Sequence, residues 1–124
     1  LPAVAEKLSF AADLKAANEV PPNKSAGTGA VAAAYDTASK KLEWTVTYAG
    51  LTGAVTGAHF HGPADATKNA GVAIAIPGEA SPMAGSATLT DAQAADLMAG
   101  KWYVNVHTAA NKDGEIRGQV MKSK

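Results

Sequence analysis

The sequence predicts an all-β domain, an antiparallel β-sandwich or barrel with one short helix. Segments in which apolar and polar residues alternate recur along the chain, and this period of two is typical of half-buried strands. Turn-forming residues separate the segments about every 8–12 residues, as in sandwiches and barrels. Because the chain has 124 residues and no cysteine, we expect a single domain over residues 1–124, with a core at about 7–121, that folds without disulfides.

Three segments in the first part of the chain alternate in this way. Apolar residues occupy every second position and polar residues lie between them, as in a sheet with one face in the core. The third segment is the clearest because its branched and aromatic residues also favour strands. Between the first two lie Pro21 and Pro22, which cannot donate hydrogen bonds to a sheet. The predicted strands are residues 7–17, 27–35 and 42–48, with a loop at 18–25 and a polar turn at 36–40.

The strands of the second part are shorter. A turn at 50–53 leads into a strand at 55–61, where Gly57 indicates a β-bulge. The dipeptide Asp113-Gly114 is a strong turn signal, so the last two strands are expected to form a hairpin. The remaining predicted strands are residues 72–76, 85–89, 102–108 and 115–121, with loops at 62–70 and 80–83.

One segment carries the signals of a helix. Thr90 and Gln93 have the spacing of a capping box, in which each side chain bonds to the backbone of the other residue. Gly100 suits the position just after a helix, where a left-handed backbone conformation is common. These residues predict one short helix over about 91–99.

Charge and composition exclude several classes of function. The chain has 11 Lys and Arg and 11 Asp and Glu, so it has no excess positive charge for nucleic acid or anionic lipid. The longest apolar run, residues 30–35, is far shorter than the roughly 20 residues of a membrane-spanning helix. Nucleophile-elbow, phosphate-loop and dinucleotide motifs are absent, so we expect no nucleic-acid partner, no membrane span and no enzymatic activity.

All three histidines lie on predicted strands. His59 and His61 flank Phe60, so the two imidazoles share one face of the strand while the phenyl ring faces the other. Residues two apart on a strand lie roughly 7 Å apart, and two imidazoles at that spacing can converge on one ion with bonds of about 2.0–2.1 Å. His107 lies in another alternating run. The candidate metal ligands are therefore His59, His61 and His107, with Asp65, Glu115 or water as a further ligand.

The residue types restrict the choice of metal. Without cysteine, any metal must be held by nitrogen and oxygen, which fits copper(II) or zinc(II), and the intrinsic order of affinities favours copper. Scattered methionines are expected to fill the core rather than to bind copper(I); they are Met83, Met98 and Met121.

Two further groups of side chains have structural interpretations. Trp44 and Trp102 are expected in the core. Glu115 and Arg117 lie two residues apart and share a strand face. Either Arg117 binds an anion or the two side chains form a structural ion pair beside the packed arginine stem.

Five short motifs occur in order along the chain and together resemble the CHRD domain. This repeat was first described in chordin and is common as a stand-alone domain in bacterial exported proteins. The similarity runs over nearly the whole chain, roughly Lys7 to Met121. The motifs are Glu19-Val20-Pro21-Pro22, Leu51-Thr52-Gly53, His59-Phe60-His61-Gly62-Pro63, Tyr103-Val104-Asn105-Val106-His107-Thr108 and Gly114-Glu115-Ile116-Arg117-Gly118-Gln119-Val120.

The resemblance implies a compact β-sandwich and a location outside the cytoplasm, periplasmic or secreted. Several bacterial relatives are thought to be associated with copper handling, and no enzymatic activity is implied. The histidine positions of the family fall here on His59, His61 and His107. The first residue, Leu1, is compatible with a removed secretion signal or with a trimmed chain.

These observations lead to three hypotheses about function. The favoured one is an exported protein that binds one copper(II) ion at a mononuclear histidine site, for copper storage, transfer or sensing, with a copper-handling protein as candidate partner. A homodimer could supply a ligand from the second subunit. The competing hypothesis is a metal-independent protein-interaction or matrix module with incidental histidines. A metal-dependent enzyme of hydrolase or superoxide dismutase type ranks last, because copper–zinc superoxide dismutase needs more than the three imidazoles present.

Overall fold

The computed structural model describes residues 6–123. In this range the chain forms nine strands, one α-helix and a 3-10 helix at Ala16–Asn18. The α-helix, α1, spans Asp91–Met98. The strands are β1 (Lys7–Lys15), β2 (Thr28–Asp36), β3 (Lys41–Ala49), β4 (Val55–His61), β5 (Val72–Ile76), β6 (Met83–Thr88), β7 (Tyr103–Thr108), β8 (Ile116–Gln119) and β9 (Met121–Lys122).

The strands belong to one antiparallel sheet. Their order is β5-β4-β7-β8-β1-β2-β3-β6, and the short β9 pairs with β1. The two strands at the ends of this order, β5 and β6, contact each other, so the curved sheet nearly closes into a barrel. The predicted all-β fold with antiparallel strands and one short helix is confirmed, and a single barrel-like sheet takes the place of two separate layers.

The barrel interior is lined by one face of the long strands. Every second side chain of β3 from Leu42 to Val46 is buried, as its alternating sequence predicts. The Phe60 ring lies edge-on to Trp44 with the ring centroids 5.2 Å apart, and 5.6 Å from the centroid of Trp102. Burial of a phenyl side chain contributes about 1.5–3 kcal/mol. Phe60 therefore anchors β4 from the core side, while the histidines on either side of it project from the opposite face.

Most predicted element boundaries agree with the structure to within two residues. The register between β4 and β7 shifts next to Gly57, which confirms the predicted bulge. The Thr90 side chain accepts a hydrogen bond from the Gln93 backbone and the Gln93 side chain accepts one from the Thr90 backbone, so the capping box is confirmed. The predicted last strand, residues 115–121, is divided at Val120 into β8, which pairs with β7, and β9, which pairs with β1.

The tryptophans and the methionines differ in burial. Trp44 and Trp102 are buried in the core, as predicted. Met83 is also buried, but Met98 and Met121 are 43% and 54% exposed. The prediction that these two methionines fill the core is wrong, because one ends the surface helix α1 and the other lies on the short strand β9.

Candidate metal centre

The three histidines lie on adjacent strands. β4 and β7 are antiparallel neighbours, with Gly57 opposite His107 and His59 opposite Asn105. Residues two apart on a strand share a face, so His61 and His107 project from the same side of the sheet as His59. This side is the outer face of the barrel, opposite the aromatic core. The register of two strands therefore places all three imidazoles together.

The imidazole rings form a cluster. One ring nitrogen from each histidine lies within 4.8 Å of the corresponding nitrogens of the other two. The ring centroids are 5.0 Å apart for His59 and His107, 5.4 Å for His59 and His61, and 6.0 Å for His61 and His107. Nitrogens bound to one ion at about 2.0–2.1 Å are at most about 4.2 Å apart. The upper limit of 4.8 Å exceeds this range by about 0.6 Å.

Two imidazole nitrogens in the cluster are buried without a hydrogen-bond partner in the described part of the chain. They are His59 Nδ1 and His107 Nε2. His107 Nδ1 lies 2.8 Å from the carbonyl oxygen of Lys112, so its N–H donates there and the lone pair remains on Nε2. Metal-bound histidines usually donate the N–H of their second ring nitrogen to an acceptor in this way. The donor set and its unpaired nitrogens therefore fit a metal ion.

His61 differs because both of its nitrogens have partners. Nδ1 lies 3.0 Å from the carbonyl oxygen of Ala70, and Nε2 lies 2.8 Å from Oδ1 of Asn105. The ring stacks on Tyr103 with centroids 4.8 Å apart and planes 8° from parallel. The Arg117 guanidinium also lies over the Tyr103 ring, 3.5 Å from its centroid. These contacts hold His61 in one orientation.

Burial and neighbouring charge favour the neutral form of two histidines. Burial lowers the pKa of His59, and the proximity of His107 and His61 lowers it further. Burial also lowers the pKa of His61, although its hydrogen bonds to Ala70 and Asn105 act in the opposite direction. At neutral pH both rings are therefore uncharged, and each has one ring nitrogen with a lone pair, which in His61 is engaged by a neighbouring group.

The two carboxylates predicted as candidate further ligands lie outside the cluster. Asp65 is exposed and accepts hydrogen bonds from the backbone N–H and the hydroxyl of Thr67, at 2.8 Å and 2.6 Å. Glu115 is fully buried. Its two carboxylate oxygens accept short hydrogen bonds from Ser25, Thr52 and Thr108. Among residues 6–123, the group of ligand atoms therefore contains the imidazoles alone.

The ion pair considered for Glu115 and Arg117 is not formed. Arg117 donates to Oδ1 of Asn69 and to the carbonyls of Asp65 and Lys68. The guanidinium thus ties the loop at 62–70 to the face that carries the histidines. The ion pairs of the described residues are Lys40–Asp91 and Lys41–Glu43.

A comparison with family models identifies the protein family. The model of the CHRD domain matches residues 10–120, most of the chain. The chain belongs to the CHRD domain family. This confirms the resemblance carried by the five motifs, and CHRD domains occur in extracellular and secreted proteins. No curated protein and no solved structure matches the chain significantly.

The helices of the described part of this CHRD domain are short. Within residues 6–123, no helix is both long enough and apolar enough to cross a bilayer. The longest helix, α1, has eight residues.

Four groups around the histidines of this CHRD domain were missed by the sequence analysis. Two are side chains, Tyr103 and Asn105, which alternate with core residues on β7 in the same parity as His107. That parity could have placed them beside the imidazoles. The other two are the carbonyls of Ala70 and Lys112, and backbone groups in loops leave no signal in the sequence.

Proposed function

We propose that this CHRD domain binds one copper(II) ion through His59, His61 and His107. It would serve in copper storage, transfer or sensing outside the cytoplasm, in the periplasm or as a secreted protein. The observation that carries the proposal is the pair of buried, unpartnered nitrogens within a cluster of three imidazoles. A buried polar atom without a partner costs about 1–3 kcal/mol. A bound ion would remove this penalty for both nitrogens at once.

The hydrogen bonds favour one set of ligand atoms. His107 would bind through Nε2 and His59 through Nδ1, the two nitrogens without partners. His61 would bind through Nε2, because its Nδ1 faces a backbone carbonyl in the same way as Nδ1 of His107. In this arrangement the carbonyls of Ala70 and Lys112 fix the tautomers of His61 and His107. Metal-bound imidazoles commonly donate their second N–H to such a group.

The chemistry of the cluster favours copper(II). Three imidazoles without a thiolate or thioether suit copper(II) or zinc(II), and copper(II) has the higher intrinsic affinity for nitrogen. Since both candidate carboxylates have hydrogen-bond partners elsewhere, the fourth position is left to water, to a copper-handling partner or to a second copy of the chain. An exchangeable fourth ligand is what uptake and release of the ion require.

Addition of copper(II) to metal-free protein is expected to raise thermal stability. At a free metal concentration of 100 times Kd, binding to the native state adds about 2.7 kcal/mol to the free energy of unfolding. For a domain of this size that corresponds to a rise of roughly 10 °C in the midpoint of thermal unfolding. Zinc(II) should give a smaller rise, and magnesium(II), which prefers oxygen ligands, should give none.

Differential scanning calorimetry measures this effect directly. Equal midpoints with and without copper(II) would contradict the proposal and favour the metal-independent interaction module. A rise of the same size with magnesium(II) would show that the ion acts at exposed carboxylates rather than at the imidazoles.

A further inference from the structure

The histidine cluster is asymmetric in its hydrogen bonds. His59 Nδ1 and His107 Nε2 have no partner among the described residues, so an ion can reach their lone pairs without breaking a bond. Both nitrogens of His61 are engaged, one by Ala70 and one by Asn105. Whichever nitrogen of His61 binds an ion must therefore first lose a hydrogen bond.

The surrounding structure holds the contact between His61 Nδ1 and the Ala70 carbonyl in place. The carbonyl oxygen of Ala70 also accepts a hydrogen bond from the Tyr103 hydroxyl at 3.2 Å, and the Ala70 N–H donates to the same hydroxyl at 3.0 Å. Because the N–H and the carbonyl of Ala70 both bond to the Tyr103 hydroxyl, the carbonyl cannot leave His61 without the loss of further hydrogen bonds. The bond between Nδ1 and Ala70 is expected to persist.

The contact with Asn105 depends on a side chain that can rotate. The Asn105 backbone is paired on both sides, with β4 and with β8, so the amide can leave His61 only by rotation about its side-chain bonds, within a buried environment. Its Nδ2 has a long contact of 3.4 Å with the carbonyl of Asp113 and faces the Glu19 carboxylate at hydrogen-bonding range, so a turn of the amide exchanges these contacts too. The amide can serve His61 with either end, since one end accepts and the other donates.

We propose that Asn105 competes with the metal ion for Nε2 of His61 and so makes the site one of transfer rather than of storage. This inference rests on the proposed function. The ion would first be held by His59 and His107, and the third bond would form when the Asn105 amide turns away. Release would follow the reverse order, with Asn105 recapturing His61. A two-histidine state that re-forms readily would let a partner with stronger ligands remove the ion.

The test compares copper(II) release from the parent, from Asn105→Ala and from Gln119→Ala. One intramolecular hydrogen bond is worth about a two- to ten-fold change in equilibrium constant. We expect Asn105→Ala to bind copper(II) about two- to ten-fold more tightly and to release it correspondingly more slowly to excess chelator. Gln119→Ala is the matched control, because its amide donates to the carbonyls of Ala64 and Gly100 and should leave release unchanged.

The outcomes separate this inference from the proposed function. If the parent binds copper(II) and Asn105→Ala releases it as fast or faster, Asn105 orients His61 and the inference is wrong while the proposed function stands. If the parent binds no copper(II), the proposed function fails and the inference with it. Should Asn105→Ala not fold, nitrogen NMR of the zinc(II)-loaded parent decides. Metal on Nε2 of His61, with Nδ1 still protonated, supports the inference, and metal on Nδ1 overturns it.

Discussion

Replacement of both histidines of β4, His59→Ala together with His61→Ala, is expected to lower copper(II) affinity by at least about 1,000-fold, or about 4 kcal/mol. Loss of a residue that only supports a metal ligand typically lowers affinity 10–100-fold, and this variant loses two of the three ligands themselves. The remaining imidazole, His107, would hold the ion no better than an exposed histidine does. Competition with a chromophoric chelator measures the two affinities.

The matched control for this variant is Asp65→Asn. Asp65 follows the paired histidines in the sequence, but its carboxylate is exposed and bonded to Thr67. We expect Asp65→Asn to bind copper(II) as the parent does. Equal affinities of the parent and the double histidine variant would show that the cluster is incidental. A large loss in Asp65→Asn alone would instead make that carboxylate a ligand.

The largest expected effect on stability follows from Glu115→Gln. The buried carboxylate accepts four hydrogen bonds of 2.6–2.8 Å from Ser25, Thr52 and Thr108, and these residues come from three separate segments. An amide would place a donor against two of those donors. Hydrogen bonds to a charged group are worth about 1.5–3 kcal/mol each, so we expect the free energy of unfolding to fall by at least about 3 kcal/mol. Urea denaturation at pH 7 measures it.

The same carboxylate makes stability depend on acid pH. Burial by itself would raise the pKa of Glu115, but the hydrogen bonds from Ser25, Thr52 and Thr108 outweigh it and lower the pKa to about 2. The native state therefore binds fewer protons than the unfolded state, whose carboxyl has a pKa of 4.5. The stabilisation is present above pH 4.5 and is lost as the pH falls towards 2, by about 3 kcal/mol in total.

Glu43→Gln is the control for the loss of stability in Glu115→Gln and for the dependence of stability on acid pH. Glu43 is an exposed residue of β3 that faces Lys41 at 3.4 Å, and an exposed pair of this kind contributes at most about 1 kcal/mol. We expect Glu43→Gln to unfold as the parent does at every pH. If the free energy of unfolding of Glu115→Gln also equalled that of the parent, the account would be wrong. The buried carboxylate would then not be what holds together the segments of Ser25, Thr52 and Thr108.

The elements of the barrel could be predicted because each obeys a local rule. The alternation in β3, from Leu42 to Val46, reports which face of the sheet meets the core, and burial follows it residue by residue. The turn and capping signals at Asp113-Gly114 and Thr90 act over a few residues. Parity alone also placed His59 and His61 on one face, opposite Phe60.

What could not be predicted depends on which strands become neighbours. β4 and β7 are neighbours in the sheet, and this brings His107 close to His59 and His61. Such a long-range pairing of strands is not encoded in the periodicity of the sequence. Asn105 was not linked to His61, because their contact needs the register between these strands. Glu115 was assigned to a metal or to Arg117, but hydroxyl-bearing residues surround it in the fold, and two of them, Ser25 and Thr52, are distant in the chain. Each of these errors concerns a contact between segments far apart in the chain.

Electron paramagnetic resonance of the protein with one equivalent of copper(II) tests the central claim most directly. The parent is expected to give a single stoichiometric signal with nitrogen hyperfine structure from the imidazoles of both strands. In His107→Ala the number of coupled nitrogens should fall, since His107 Nε2 is one of the two unpartnered nitrogens of the cluster. A parent signal typical of free or loosely bound copper, or a signal unchanged in His107→Ala, would contradict a mononuclear site built from β4 and β7.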